Sequence, residues 1–340
     1  MNHFLQTFLG GIILSLATSL NLKFNGRITG MSGLTFRSVF LAFEEISTAT
    51  IVSILLTGSI YFFMNTRLGW FSVPDYWETV EGLGWVGFVL GGLLVGFGTK
   101  MANGCTSGHG LCGIPRFSVR SWVAVPVFML TAIITANAIE YLTAGEGLRA
   151  WETQGMNTLK GNKMKNWPAN NSTPLLSLPV RAIMNDVFLV LLVALLGWVF
   201  LSSGSNLKGV VVGVAVGILF GIGLIISGMS ERSSIKNFLV ISKSWDWGLL
   251  VVFCTGVLAN IALFTWILEG NPVLSREFDI PTRKDIDWKL ITGSAVFGVG
   301  WGVLGLCPGP LAVTLSRFVP QVTFGAIPAM LLGQFVASKI

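Results

Sequence analysis

Nine stretches of this chain are each apolar for roughly the 20 residues that a helix needs to cross a hydrocarbon core. They lie near 3–20, 46–64, 84–102, 121–141, 183–203, 207–226, 247–269, 288–304 and 321–338, with polar connections at 65–83, 142–182 and 270–287. Composition agrees: of 340 residues only 11% are charged and 52% are apolar, whereas soluble domains carry about a quarter charged residues. Forty-one glycines suit membrane helices that approach closely. A soluble fold is therefore excluded, and lipid is the expected surroundings. The net charge of +6 does not indicate nucleic acid, because the Lys and Arg residues are scattered over short loops and form no basic stripe. The start, MNHFLQTFLGGIILSLATSL, lacks a basic leader region and is expected to be the first membrane helix, retained in the mature protein.

Four further segments are too short and too rich in glycine to span: 24–43, 103–121, 227–241 and 305–318. Each opens with a polar, Gly-containing break and runs on into a short apolar or amphipathic stretch. They read either as surface loops or as re-entrant loops followed by half-helices. Irregular backbone at membrane depth is tolerated only where protein buries it or it lines a cavity. An internal repeat favours the second reading. Ile28-Thr29-Gly30-Met31-Ser32 matches Ile226-Ser227-Gly228-Met229-Ser230, and Gly104-Cys105 matches Leu306-Cys307, each pair after a Gly-rich helix. Both halves run span, Gly-Met-Ser loop, span, span, Cys loop, span, with the helix near 183–203 left between them. An odd linking helix inverts the second half, as in many secondary transporters whose site lies at the repeat interface. The expected fold is thus an all-α integral membrane protein of nine helices. Residues 1–141 form a first repeat, 142–206 a polar loop and linking helix, and 207–340 a second repeat. One side receives Lys23, Arg27, Arg37, Lys100, Arg116, Arg120, Lys208, Arg276, Arg283, Lys284, Lys289 and Lys339 against ten Lys and Arg on the other. This bias marks it as cytoplasmic, which puts the N-terminus outside and the C-terminus inside a cell membrane.

The residues able to carry chemistry concentrate in 104-GCTSGHGLCG-113. Gly104, Gly108, Gly110 and Gly113 let backbone N–H groups approach a ligand. Thr106 and Ser107 add small donors, and a helix starting soon after would offer its N-terminus to an anion. The second half answers with 305-GLCPGP-310, where Pro308 and Pro310 around Gly309 suit a strained turn or a first helical turn. A single buried cysteine is most simply a small hydrophobe. Cys105 and Cys307 instead occupy equivalent breaks in two repeats, and Ser32 and Ser230 close the two Gly-Met-Ser loops in the same way. Cys254, inside an apolar run, reads as packing, while Cys112 could line a mouth or simply pack. His109 beside Cys105 and Cys112 lacks the fourth ligand that a zinc site would want, so it reads as a hydrogen-bonding group that shapes the loop. Intramembrane carboxylates that could relay protons are almost absent, and no nucleotide loop or catalytic triad is readable. No cofactor or enzymatic activity is expected.

GCTSGHGLCG with the following RFSVRSW, the SGMS loop, and GWGVLGLCPGP resemble the YeeE/YedE sulphur-transport family, over essentially the whole chain. The resemblance implies an hourglass fold that takes up thiosulfate, with loop cysteines at its constriction passing the anion along by contacts to its sulfur. By motif Cys105 and Cys307 inherit that role. Some members carry a third pore cysteine in the early loop of the first half. Here that stretch, LNLKFNGRITGMSG, has none, and Cys112 or the Ser32 hydroxyl would have to stand in. Two other readings stay open: a membrane thiol or persulfide redox enzyme acting on sulfane sulfur, and a channel for another small anion. The coupling ion and any soluble sulfur-handling partner on the receiving side carry no signature.

Overall fold

The computed structural model describes residues 3–41, 44–68, 83–158, 177–242 and 245–340. Where the sequence keeps an apolar run unbroken the backbone is helical, since only a helix satisfies its own N–H and C=O groups in the absence of water. The first half comprises α1 (His3–Asn25), α2 (Met31–Phe40), α3 (Glu45–Leu68) and α4 (Gly84–Met101), then a π-helix Thr106–Gly113 and α5 (Val119–Thr158). α6 (Leu178–Ser202) stands between the halves. The second half comprises α7 (Leu207–Ile226), α8 (Arg232–Leu239), α9 (Gly248–Leu268), α10 (Trp288–Leu304) and α11 (Pro308–Leu315). A π-helix Gln321–Ala326 then leads into α12 (Ile327–Ala337).

The protein is an all-α integral membrane protein. Eight segments of the described residues are long and apolar enough to cross a bilayer: α1, α3, α4, Val119–Leu142 of α5, α6, α7, α9 and the Trp288–Leu315 stretch of α10 and α11. The stretch expected as a ninth span forms the shorter apolar helix Gln321–Ala337, which opens with a π-helix and is not among these eight. The short segments expected after Gly-rich breaks form α2, the Thr106–Gly113 π-helix, α8 and α11. The expected 142–182 connection is helical as far as Thr158, and residues 159–176 of it, like 69–82 of the 65–83 connection, lie outside the described residues.

Packing links the halves rather than separating them. α1 packs on α7 and α9, α3 on α7, α4 on α10 and α12, and α5 on α10. Exchanging α1 with α7, α3 with α9, α4 with α10 and α5 with α12 maps this set of pairs onto itself. α6 packs mainly on α3 and has no counterpart among the described helices. Glycine permits the closest crossings: a Cβ at Gly96 of α4 would fall 1.9 Å from the Met330 carbonyl of α12, and one at Gly298 of α10 would fall 2.4 Å from the Phe128 carbonyl of α5. The outward faces carry exposed Leu16, Val190, Leu201, Leu258 and Trp266, as a lipid-facing surface should.

Candidate functional site

The two cysteine loops are built alike. After α4, Asn103 turns the chain with a left-handed φ of 58°, and after α10 Gly305 does the same with φ 69°. Two residues later Cys105 and Cys307 are both extended (φ −124° and −103°), and each caps the short helix that follows. Both thiols are buried, Cys105 at 0% and Cys307 at 4% exposure. Hydroxyls rather than each other meet them. The Cys105 sulfur lies 3.2 Å from Ser107 Oγ, and the Cys307 sulfur 3.4 Å from Thr106 Oγ1. Ser107 Oγ in turn accepts the Met31 N–H at 3.0 Å, which binds the first Gly-Met-Ser loop to the first cysteine loop. Gly30 and Gly108 face each other across this junction, and a Cβ on either would lie within 3.7 Å of the other's Cα.

His109 shapes the loop as its sequence position suggests. Its Nε2 points at the Ala102 carbonyl at 3.2 Å, an acceptor only, so this nitrogen carries the hydrogen. Nδ1 of the neutral ring then accepts from Ser121 Oγ at 3.0 Å. The ring fills the space beside Gly104, where a Cβ would fall 2.6 Å from Nε2, so the imidazole dictates the glycine.

Two cavities meet this junction. One, of about 170 Å³, is apolar and is reached by Met31, Thr106, Ser107, Phe220, Trp301 and Cys307, with Gly309 and Met229 also on its wall. The other, of about 450 Å³, is reached by Gly30, Ser32, Gly104, Gly108 and His109, and is ringed by Arg and Lys side chains. Neighbouring residues of one loop thus face different cavities, and Cys105, between Gly104 of the larger and Thr106 of the smaller, lines neither.

Other expected site residues lie further back. Cys112 is buried in a small cluster with Leu22, Phe264 and Ile267, its sulfur 3.8 Å from the Thr29 carbonyl, so it packs the loop from behind. Cys254 is exposed on α9, away from the junction. Ser230 is buried with its N–H on the Leu224 carbonyl at 3.3 Å, and neither it nor Pro308 lines either cavity. Three polar residues inside apolar spans escaped the sequence reading. Asn260 of α9 donates to the Leu111 carbonyl at 2.7 Å and accepts from Ser15, Thr18 and Ser19 of α1, which anchors the π-helix. Gln334 of α12 donates to the Ser32 carbonyl at 3.2 Å. The Trp301 ring lines the smaller cavity, and its N–H has no partner among the described residues. The signal for all three is a polar group where lipid chemistry makes one costly. No group of three or more His, Cys, Asp or Glu able to hold a metal occurs among the described residues.

Comparison with known proteins matches residues 4–134 to a family described as sulphur transport and residues 208–338 to a family of unknown function. A probable transporter of Xylella fastidiosa is 36% identical over 136 residues, 40% of this chain and 95% of that protein. Another from the same species is 35% identical over 133 residues, 38% of this chain and 89% of its own length. The thiosulfate transporter TsuA of Spirochaeta thermophila is 46% identical over 41 residues, 12% of each chain.

Proposed function

The chain belongs to the YeeE/YedE sulphur-transport family, and on that premise we propose that it takes up thiosulfate along a path lined by Cys105 and Cys307. That it is a multi-pass membrane transporter rather than an enzyme follows from the family, the transporter relatives and the eight apolar helices. The observation that supports the narrower reading is that Thr106 of one half touches Cys307 of the other on the wall of the smaller cavity, while Gly104 and Gly108 of the same loop line the larger one. In this reading the repeats are inverted and the two cavities are the bulbs of an hourglass, closed here at Gly30, Gly108 and the thiols.

The chemistry suits a soft dianion. An anion leaving water needs replacement donors, because an uncompensated buried charge is prohibitively costly. The first N–H groups of a helix have no partner within it, and those after Cys105 belong to Thr106, Ser107 and Gly108. The thiols and the two hydroxyls add weak, rotatable donors, and a weak S–H donor matches a polarisable terminal sulfur. No fixed full charge stands at the constriction itself. Binding there stays shallow enough for release, as conduction requires. The larger, basic cavity faces the cytoplasm in this reading, with the C-terminus on the same side and the N-terminus outside.

The test is growth. A cell unable to take up sulfate and expressing this chain should grow on thiosulfate as sole sulfur source. Growth on other sulfur compounds but not on thiosulfate would assign a different cargo.

A further inference from the structure

The larger cavity is surrounded by six cationic side chains: Arg27, Arg37, Lys100, Arg116, Arg120 and Arg283. Three of these are matched by carboxylates. Arg27 meets Glu44 at 2.5 Å, Arg120 meets Asp287 at 3.2 Å, and Arg283 meets Asp285 at 2.6 Å. Arg37, Lys100 and Arg116 have no carboxylate within ion-pair distance among the described residues. Lys100 Nζ instead lies 3.4 Å from the Phe36 ring centre, and Arg116 Nε donates to the Cys112 carbonyl at 3.0 Å. Like charges gathered around one hollow repel one another. A topological role would require only that they face one side of the membrane, not that they line a hollow whose wall includes Gly30, Ser32, Gly104 and Gly108.

The second half shows what such an arginine takes when a partner is supplied. Arg116-Phe117 and Arg317-Phe318 are equivalent: each follows a cysteine loop, and each phenylalanine is left-handed, with φ 55° and 48°. Arg317 is held by Glu231 through two hydrogen bonds, one of 3.0 Å. Glu231 directly follows Ile226-Ser227-Gly228-Met229-Ser230. In the first half the residue that follows Ile28-Thr29-Gly30-Met31-Ser32 is Gly33. A Cβ at Gly33 would meet no atom within 4 Å. One repeat therefore carries its own carboxylate, and the other leaves open space beside unmatched cations.

We propose that Arg37, Lys100 and Arg116 form a second anion site, separate from the cysteines, which holds a small divalent sulfur oxyanion in the space a glutamate fills in the other repeat. That the anion is the transported one rests on the transport reading above; the site itself does not. An anionic lipid headgroup offers the same chemistry, so the test must separate the two.

The test uses the Cys105→Ala/Cys307→Ala protein in nanodiscs of neutral phosphatidylcholine, titrated with radiolabelled sulfate and thiosulfate. Saturable binding is expected, weakened by added salt because the cavity is partly open to solvent. Gly33→Glu should weaken it about tenfold or more, and Gly33→Gln by less than about threefold. Arg37→Gln/Lys100→Gln/Arg116→Gln should remove it, and single Arg37→Gln gives a milder form if the triple variant fails to fold. Absence of saturable binding, or equal binding by Gly33→Glu and Gly33→Gln, overturns the site. So does binding abolished at equal ionic strength by phosphatidylglycerol in the discs, which assigns the cations to lipid. Uptake by the parent protein is a separate readout. A parent that carries thiosulfate beside a double variant without charge-dependent binding refutes this site alone. Charge-dependent binding beside a parent that carries nothing refutes the transport reading alone.

Discussion

The hydroxyl of Thr106, in the first half of the chain, lies 3.4 Å from the sulfur of Cys307, in the second half. Residues 201 apart in the chain can meet this way only because the helices of each half pack against those of the other. The contact also places both cysteine loops at one point, where the two cavities approach each other.

The thiols should therefore matter individually. Cys105→Ala and Cys307→Ala are each expected to lower thiosulfate uptake by about tenfold or more, the loss of one net hydrogen bond at a rate-setting point. Both proteins should still insert and fold, since each change removes only a small buried side chain. Cys254→Ala, exposed on α9, should transport like the parent. Unchanged uptake by the two loop variants would return both cysteines to a packing role.

The working form should be the thiol, because a thiolate has no hydrogen to donate and repels a dianion. Two unit charges about 4 Å apart repel by roughly 4 kcal/mol at an effective dielectric of 20, and a dianion about doubles that. Thiosulfate should slow alkylation of Cys105 and Cys307, and uptake should fall as both faces are made alkaline. Uptake that rises with thiolate formation, or a persulfide recovered on either cysteine, would point to covalent sulfur handling.

Asn260 should act by positioning. Asn260→Leu strands the Leu111 carbonyl and removes the acceptor of three hydroxyls, and a buried polar group left unmatched costs about 1–3 kcal/mol. A lowered melting temperature in detergent is expected, together with slower maximal uptake as the π-helix loosens. Asn260→Gln should recover less than the parent, because the longer side chain cannot keep all four contacts. A Leu variant as stable and as active as the parent would remove Asn260 from the account.

The cluster at the foot of α10 makes stability acid-sensitive. Burial alone would raise the Asp287 carboxyl, but the Leu290 N–H that it caps and the Arg120 and Arg283 charges outweigh burial and hold it below the ordinary 3.8. A depressed carboxyl contributes stability above its unfolded value and loses that contribution as the pH falls through the folded one. The parent should thus lose thermal stability on acidification below about pH 4. Asp287→Asn, which keeps a capping oxygen, should show a flatter acid limb and lower stability at neutral pH. Identical pH profiles would assign the acid limb to other groups.

Much of this architecture is legible in the sequence because lipid leaves the backbone few choices. The apolar runs became helices within a few residues of their expected ends, and the four Gly-rich breaks became short helices. The likeness of the two cysteine loops was visible in the sequence, and both are entered through a left-handed turn, at Asn103 and at Gly305. Three things were not legible. The helix that continues past residue 142 to Thr158 is polar, and periodicity gives no warning of it. Cys112 shares a motif with Cys105, yet its side of the π-helix faces Leu22 and Phe264, a direction that only packing fixes. Arg37, Lys100 and Arg116 are far apart in the chain, so a charge count assigns them to one side of the membrane but cannot show that they share a cavity.

Uptake of radiolabelled thiosulfate into proteoliposomes shows whether the chain carries this anion past its two loop cysteines. Vesicles containing the parent chain should take up label well above empty vesicles, unlabelled thiosulfate should compete, and Cys105→Ala/Cys307→Ala vesicles should stay near the empty baseline. Parent vesicles no better than empty ones, or a double variant as active as the parent, would contradict that path.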